Sequence, residues 1–334
     1  MILIVKHPVL LWVLLALAVS GIFMMALTYG VASYLAYTRT LRRRSKEQWS
    51  REMPKDLSPE ALQMYETGAR WSEENALYKQ DVSIVRDGLH LYGEYYDFGA
   101  SRCAVILSGR TESLKYGYYF AIPYAKNGCN ILVLDPRGHG LSDGEFNTVG
   151  FEESKDITAW VKHMHQAYNI PSFIFHGICI GAAGGVLSLT AEDAPPCVDG
   201  IVTEGMFPNF KESVRNHIIE RRKSTFITLD LIDCWMKHYT GHSMKYGPLD
   251  IIHNVHTPLL MLHSKEDRYS TPEFAQKLFD ASGSTHKRIV WFEHGRHSML
   301  RVTDRELYDA SIKNFIAEIT ANKKITEKEN DYVL

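Results

Sequence analysis

The chain has 334 residues, of which 45% are hydrophobic and 23% charged, and its formal net charge is −2. These values are typical of a globular protein with a sizeable core, and the balanced charge argues against nucleic acid as a partner. The 15 histidines and 5 cysteines are scattered without a spacing typical of a metal site or a redox dithiol. We therefore expect no metal and no cofactor, and free thiols typical of a reducing compartment.

The first predicted element is a membrane-spanning helix. Residues 8–38 contain no charged side chain, and this run exceeds both the roughly 20 residues that cross a bilayer and the apolar region of a signal peptide. We therefore predict an uncleaved single-pass anchor over residues 1–38. The basic segment RTLRRRSK follows it directly. Because positive residues tend to stay on the cytoplasmic side, we expect the larger domain in the cytoplasm.

Residues 39–80 are mostly polar and predict a helical neck, with Ser58 as the N-cap and Pro59 at the first helical position. Short apolar runs typical of strands then alternate with amphipathic helical segments, beginning with a hairpin around the pair Asp87-Gly88. This alternation predicts an α/β fold over residues 81–320, with a mostly parallel sheet and helices on both faces.

A long insertion at about residues 207–255 separates two of the predicted strands and predicts a small helical cap. Its apolar residues either line an acyl pocket or pack the cap helices together. They are Phe207, Phe210, Phe226, Ile227, Leu229, Leu231, Ile232 and Trp235. The polar segment at residues 321–334 predicts a flexible tail.

The segment FIFHGICIGAAGG (Phe173–Gly185) is typical of a nucleophile elbow, the sharp turn between a strand and a helix that presents a catalytic side chain. Cys179 stands at its centre, where serine is usual. Gly177 and Gly181 flank it at positions where a side chain would clash in such a turn. The alternative is a purely structural turn with an inert buried cysteine.

An elbow nucleophile needs an acid and a histidine later in the chain, in that order. Asp267 follows the apolar run PLLMLHS and His297 follows the next run, RIVWFE, so both fall at the same predicted sheet edge as Cys179. We expect His297 to take the proton from the thiol and Asp267 to orient the imidazole. Glu204 lies near the end of the run GIVTEG at this edge, and we interpret it as a strand-end charge that could supplement Asp267.

A tetrahedral intermediate also requires an oxyanion hole made of backbone N–H groups. Ile180 directly follows the nucleophile and is the first predicted donor. The second is predicted in the loop SGRTES that follows the run CAVILS, and Arg110 is our first choice there.

The segment LVLDPRGHGLSDGE closely resembles the D-x-R-G-H-G-x-S turn of α/β-hydrolase-fold enzymes. Together with the cysteine elbow and the histidine loop GRHS, the resemblance covers about residues 80–320. It is most similar to bacterial membrane-anchored α/β hydrolases related to serine aminopeptidases and acyl esterases. In such proteins the turn is structural, which implies that Asp135, Arg137 and His139 serve loop architecture.

Two features depart from that pattern: Ser108-Gly109 replaces the usual His-Gly before the oxyanion loop, and Cys179 replaces serine. Dienelactone hydrolases and bile-acid acyltransferases of the same fold also carry cysteine there, which implies that the change is compatible with activity. A thiolate attacks readily but also leaves readily, which favours lactones, thioesters and reactive esters over amides.

We therefore predict a membrane-anchored acyl hydrolase that acts on a small-molecule acyl substrate, with lipid-derived substrates suggested by the anchor over residues 8–38. Two alternatives stay open. The same acyl-enzyme could pass its acyl group to an amine or thiol acceptor, as in an acyltransferase. The chain could also be a catalytically inactive binding protein with a hydrolase fold.

Overall fold

The computed structural model describes residues 8–195, 197–220 and 228–331. An eight-stranded sheet organises this part of the chain, in the order β1-β2-β4-β3-β5-β6-β7-β8. The strands are β1 (Lys79–Arg86), β2 (Leu89–Tyr96), β3 (Arg102–Leu107), β4 (Asn130–Leu134), β5 (Ser172–Ile178), β6 (Val198–Glu204), β7 (Leu259–Ser264) and β8 (Lys287–Phe292). β2 pairs antiparallel with β1 and β4, whereas the other neighbours are parallel. The sheet is therefore mostly parallel, as predicted.

Helices cover both faces of the sheet. One apolar cluster packs α2 (Pro59–Glu74), α3 (Leu114–Ala125) and α11 (Arg305–Asp331) on one face. A second packs α4 (Phe151–Tyr168), α5 (Ile180–Leu189) and α9 (Pro272–Ala281) on the other. Strands β4 and β5 are buried along their whole length because helices cover both of their faces, which explains their continuous apolar sequences.

The first helix, α1 (Pro8–Leu41), is long and apolar enough to cross a membrane, and a signal sequence near an N-terminus shares this length and composition. Its side chains are exposed over residues 9–28. Towards its end, Ser33, Tyr37 and Leu41 are buried against the globular part of the chain. The first half of the helix is therefore exposed, whereas its last turns pack against the globular part of the chain.

The prediction of a helical neck over residues 39–80 is wrong in its first half. α1 continues to Leu41, and residues 43–57 contain no helix. We call residues 42–57 the strap, because they lie across the turn after β4. Arg51 Nε donates to Asp135 Oδ2 at 2.7 Å, and Trp49 stacks on His139 at 4.6 Å between ring centroids. These tertiary contacts fix the strap in an irregular path that local sequence does not specify.

The second half of the predicted neck does contain a helix. Ser58 precedes α2 as its N-cap, and its Oγ accepts the Ala61 N–H at 3.3 Å. Pro59 occupies the first turn, as the sequence predicted. The chain then enters β1 at Lys79, at the edge of the sheet.

The insertion between β6 and β7 forms the helices α6 (Phe210–Glu220), α7 (Thr228–Thr240) and α8 (Pro248–Ile251). α1 packs along α7: Trp235 Nε1 donates to Ser33 Oγ at 3.1 Å, and Tyr37 stacks on Tyr239 at 5.6 Å. The end of the apolar N-terminal helix is thus part of the same packed unit as the cap helices.

The last helix departs from the prediction. The sequence predicted a flexible tail over residues 321–334, whereas α11 continues to Asp331. Residues 332–334 lie outside the described part of the chain. Between β8 and α11, the short helix α10 (Leu300–Thr303) completes the loop that carries His297.

Candidate active site

The turn between β5 and α5 has the geometry of a nucleophile elbow. β5 ends at Ile178 and α5 begins at Ile180, so Cys179 alone makes the turn, with φ 52° and ψ −110°. A positive φ is unfavourable for a residue with a side chain and persists only where the surroundings impose it. The Cys179 N–H donates to Glu204 O at 2.9 Å, which ties the turn to β6. The thiol is partly exposed.

The flanking glycines permit the close packing that this turn requires. A Cβ added to Gly177 would lie 2.4 Å from the Cα of Ala182, and one added to Gly181 would lie 2.0 Å from the carbonyl oxygen of Leu107. Both distances are far shorter than a carbon atom allows. These positions therefore accept only glycine, for the steric reason that the sequence analysis gave.

The loops after β7 and β8 bring Asp267 and His297 together. His297 Nδ1 and Asp267 Oδ2 lie 2.7 Å apart. The other carboxylate oxygen of Asp267 accepts the N–H groups of Tyr269 at 2.8 Å and Ser270 at 2.9 Å. The carboxylate is held by its own loop, and the bond at Nδ1 leaves the Nε2 atom of His297 available for another partner.

Sequence analysis missed Gly205, which follows β6 with φ +61°. A Cβ at this position would lie 2.8 Å from His297 Cε1 and 3.6 Å from Asp267 Oδ2. The residue is therefore a glycine because the imidazole packs directly on its backbone. The positive φ gives the same preference, but the sequence carries no turn motif that would have identified it.

The charges of the site reinforce one another. Burial alone would lower the pKa of His297, but the charges of Asp267 and Cys179, together with the hydrogen bond to Asp267, raise this pKa well above its ordinary value. Burial alone would raise the pKa of Asp267, but the charge of His297 and its hydrogen bond lower it. The arrangement thus favours an imidazolium between a carboxylate and the cysteine sulfur.

The loop after β3 lies against the nucleophile. A Cβ at Gly109 would touch the Cβ of Cys179 at 3.7 Å, so the backbone of this loop approaches the elbow closely. Ile180 is the first residue of α5, where the backbone N–H groups lack partners within the helix. The two predicted oxyanion donors, Ile180 and Arg110, therefore lie on the segments that meet at Cys179.

The same loop is braced by contacts that sequence analysis did not anticipate. Ser108, which stands where the resemblance would place histidine, donates its hydroxyl to Ser113 O at 3.4 Å and so bridges the loop. Tyr65, on α2, donates its hydroxyl to Glu112 Oε2 at 2.8 Å. Burial raises the pKa of Glu112 to about 7. The first helix of the globular part thus holds the predicted oxyanion loop.

An apolar cluster adjoins Cys179 on the cap side. Its buried members include Ile180 on α5, Phe207 and Phe210 at the start of the cap, and Tyr37 and Leu41 at the end of α1. Of the other predicted pocket residues, Leu229 and Ile232 are buried in this cluster and Trp235 packs at its edge, Leu231 is half-buried, and Phe226 and Ile227 lie outside the described residues. The cluster connects the elbow with the docked end of α1.

The D-x-R-G-H-G turn makes contacts of its own. Arg137 forms a bidentate pair with Asp156 on α4, with both N–O distances 2.7 Å. Asp135 accepts the Leu114 N–H at 2.9 Å, and His139 is fully buried. These contacts support the structural interpretation of the turn.

The protein-family model described as serine aminopeptidase, S33, matches residues 249–304, the segment that carries Asp267 and His297 but not Cys179. The uncharacterized protein YqkD of Bacillus subtilis is 27% identical over 220 residues, which cover 64% of this chain and 69% of that protein. The lysophosphatidylserine lipase ABHD12 of Xenopus tropicalis is 24% identical over 156 residues, which cover 46% of this chain and 39% of that protein.

Among solved structures, the esterase Pf2001 of Pyrococcus furiosus superposes with a TM-score of 0.62 at 18% identity, over 74% of this chain and 93% of that chain. The chain therefore has the α/β-hydrolase fold that the sequence predicted. At this level of identity the likeness establishes the fold alone.

Proposed function

We propose that the protein is a membrane-anchored acyl hydrolase that cleaves esters or thioesters through Cys179, His297 and Asp267. The observation that carries the proposal is the 2.7 Å contact between Asp267 and His297, together with a cysteine on a turn with φ 52° whose charge acts on the imidazole. A nucleophile, an orienting acid and a histidine base, in this order along the chain, are the requirements of acyl transfer on this fold.

The reaction would proceed in two halves. His297 takes the thiol proton, the sulfur of Cys179 attacks the acyl carbon, and the N–H groups of Ile180 and Arg110 bind the resulting oxyanion. His297 then gives the proton to the departing alkoxide or thiolate, which leaves a thioester on Cys179. Water, deprotonated by His297, attacks this thioester. The carboxylic acid leaves and the proton returns to the sulfur.

The apolar cluster beside Cys179 supports the proposal that the substrate carries an acyl group. Cys179 packs against this cluster, which contains Phe207 and Phe210 of the cap and residues from the end of α1. Esterase and lipase activities in the named similar proteins are consistent with ester chemistry. Because an exposed apolar helix is anchored in the same cluster, we infer that lipid-derived esters reach the site from a membrane surface. The basic segment RTLRRRSK, which begins in the last turn of α1, supports a cytoplasmic location for the domain.

The test is the turnover of a panel of short-chain and long-chain esters, thioesters and lactones by the full-length protein in detergent. We expect Cys179→Ala to lower kcat/KM by about 1,000-fold or more, because the nucleophile is lost. Cys234→Ala is the matched control, since this cysteine is exposed on α7, and it should turn over substrate as the wild type does. Unchanged turnover by Cys179→Ala would refute the proposal.

A second measurement separates an active thiol from a relic. Iodoacetamide should label Cys179 faster than Cys234 near neutral pH, although Cys179 is the less exposed of the two. Labelling of Cys179 that is no faster than that of Cys234 would argue for an inactive binding protein. An added amine that diverts the product from the free acid would indicate an acyltransferase.

A further inference from the structure

A buried carboxylate outside the three proposed catalytic side chains connects the nucleophile to the histidine loop. Glu204 ends β6, the strand between β5 and β7, and its side chain is fully buried. Charged side chains are rarely buried to this degree unless they are paired or hydrogen-bonded. Glu204 is therefore not a surface charge at the end of a strand, and its burial requires another explanation.

The contacts of Glu204 reach both sides of the site. Its backbone carbonyl accepts the N–H of Cys179 at 2.9 Å. Its Oε1 accepts the N–H of Leu300 at 3.1 Å, in the helix that directly follows the loop of His297. Its Oε2 accepts the hydroxyl of Tyr308, on α11, at 2.7 Å. One residue thus joins the elbow, the histidine loop and the last helix.

The hydrogen-bond chain continues behind the site. Tyr308 Oη lies 3.1 Å from His176 Nε2, and His176 Nδ1 lies 2.8 Å from Tyr124 Oη. Burial lowers the pKa of His176 to about 3, so this histidine is neutral. Because Tyr308 donates to Glu204, its oxygen is free to accept from the Nε2–H of His176, and Nδ1 then accepts from Tyr124. Glu204 is the charged end of this chain.

The loop of His297 has a second support. Tyr116, on α3, donates its hydroxyl to Ser298 O at 2.8 Å. The bonds to Ser298 and to Leu300 therefore hold the backbone on the C-terminal side of His297, while Asp267 holds the ring itself. Among these supports, only the carboxylates of Glu204 and Asp267 place a negative charge near the imidazole.

The charge of Glu204 is sensitive to its surroundings. Burial and, to a lesser extent, the charge of Asp267 raise the pKa of this carboxyl, whereas the bonds from Tyr308 and Leu300 and the charge of His297 lower it. The net result is a pKa of about 7. The ionisable groups whose charges act on it, or on which its charge acts, are Asp267, His297, Tyr116, Tyr119, Tyr124 and Tyr308. Among these, His297 is the group whose cation the carboxylate favours.

We propose that Glu204 is a positioning residue: its carboxylate holds the loop of His297 against Cys179, and its negative charge favours the imidazolium that forms when His297 takes the thiol proton. The inference rests on the proposed function, because it assumes that His297 and Cys179 act together. It assigns to Glu204 a role distinct from that of Asp267, since Glu204 bonds the backbone of the loop and not the ring.

The test is Glu204→Gln in the full chain, which removes the charge but keeps the shape. The new amide can accept from the Leu300 N–H and donate to the Tyr308 oxygen, which in turn can donate to His176. We expect iodoacetamide labelling of Cys179 near neutral pH to slow about tenfold, with the midpoint of its pH profile about one unit higher. With an ester, kcat should fall about tenfold while KM stays within about twofold.

Glu94→Gln is the matched control. Glu94 is also a buried carboxylate held by tyrosine hydroxyls, from Tyr118 at 2.7 Å and Tyr96 at 3.0 Å, but it lies on β2. Its labelling profile should equal that of the wild type. If Glu204→Gln also keeps the wild-type profile and kcat, the inference is overturned. If both variants change the profile equally, a general effect of buried charge explains the result and the inference is likewise overturned.

A second variant covers the case in which Glu204→Gln does not fold. Tyr308→Phe keeps the carboxylate and removes one of its donors, so the profile of Cys179 labelling should shift by a smaller amount, and an unshifted profile overturns the inference. The proposed function is tested separately by His297→Ala. If this variant labels at Cys179 as fast as the wild type, the proposed function fails, whatever the result at Glu204.

Discussion

Asp135 and His139 follow β4, whereas Asp267 and His297 follow β7 and β8, so aspartate and histidine occur together at two places beyond strand ends. After β4, the side chains of Asp135 and His139 bind other partners. Asp135 binds Arg51 of the strap at 2.7 Å, and His139 Nδ1 lies 2.9 Å from Arg137 O. At the second place the two side chains are 2.7 Å apart.

The electrostatic states of the two histidines are opposite. Burial, with a smaller contribution from the charges of Arg43 and Arg110, lowers the pKa of His139 to about 4, although the bond to the Arg137 carbonyl opposes this. The pKa of His297 is raised well above the ordinary value by Asp267 and Cys179, although burial opposes this. The two histidines show that neighbouring charges, and not residue type or strand-end position, decide whether an aspartate–histidine pair is structural or suited to proton transfer.

The largest expected difference between the two regions appears when each histidine in turn is replaced by alanine. His297→Ala should lower kcat/KM for an ester by about 1,000-fold, because the proposed base for the thiol proton is removed. His139→Ala should keep the kcat of the folded protein within severalfold while lowering its melting temperature. Equal losses of kcat in the two variants, measured on folded protein, would contradict the assignment.

Replacing the two aspartates by asparagine should give the next-largest effects. Asp267→Asn should lower kcat by about 100-fold, because the amide no longer stabilises the imidazolium. Asp135→Asn should instead lower the free energy of unfolding by about 2 to 3 kcal/mol, because the amide nitrogen would face the donors of Arg51 or Leu141. Urea unfolding and ester turnover measured on both variants separate the two outcomes. A large loss of kcat in folded Asp135→Asn would count against a structural role.

The pH dependence of stability should differ in sign between the two histidines. The folded pKa of His139, about 4, lies below the ordinary 6.5, so its stabilising contribution is complete above pH 6.5 and is lost as pH falls towards 4. The loss amounts to about 3 kcal/mol at most. His297 has a raised folded pKa, so its contribution is present below pH 6.5 and is lost as pH rises through the folded value.

The measurement compares the unfolding free energies of His139→Gln and His297→Gln with that of the wild type at several pH values. The difference between wild type and His139→Gln should shrink on acidification from pH 6.5 to 4. The difference for His297→Gln should shrink as pH rises. Parallel pH profiles for the two variants would disprove the contrast.

The smallest effect concerns the strap. Trp49 stacks on His139 with an angle of 10° between the rings. Trp49→Leu should lower the free energy of unfolding by about 1 kcal/mol, because the stacking contribution is lost. Iodoacetamide labelling of Cys179 should be unaffected, and slower labelling in the folded variant would show that the strap acts on the active site.

Much of the fold could be predicted from local sequence. The buried strands read as continuous apolar runs, and α4 as one amphipathic segment, because burial on one face or two imposes its own periodicity. The elbow could be predicted for a similar reason: Gly177 and Gly181 are steric requirements within one short segment. Their meaning does not depend on distant residues.

The neck could not be predicted in the same way. Residues 39–58 look like a polar helix, but Arg43 donates to the carbonyl oxygen of Gly140 at 2.9 Å and Arg51 binds Asp135. These partners are far away in the sequence. Local propensity is weak compared with a charged hydrogen bond to a buried acceptor, so the strap follows its partners.

Short stretches of the chain were sufficient to predict the apolar N-terminal helix, the alternation of strands and helices from β1 onward, the cysteine elbow, and the candidate acid and histidine. Three features emerge only when the chain is folded: the pairing of Asp267 with His297, the docking of α1 on the cap helices, and the burial of Glu204 against the histidine loop. The physical reason is that these contacts, and the pKa shifts they cause, arise between segments whose distance in space no local pattern specifies.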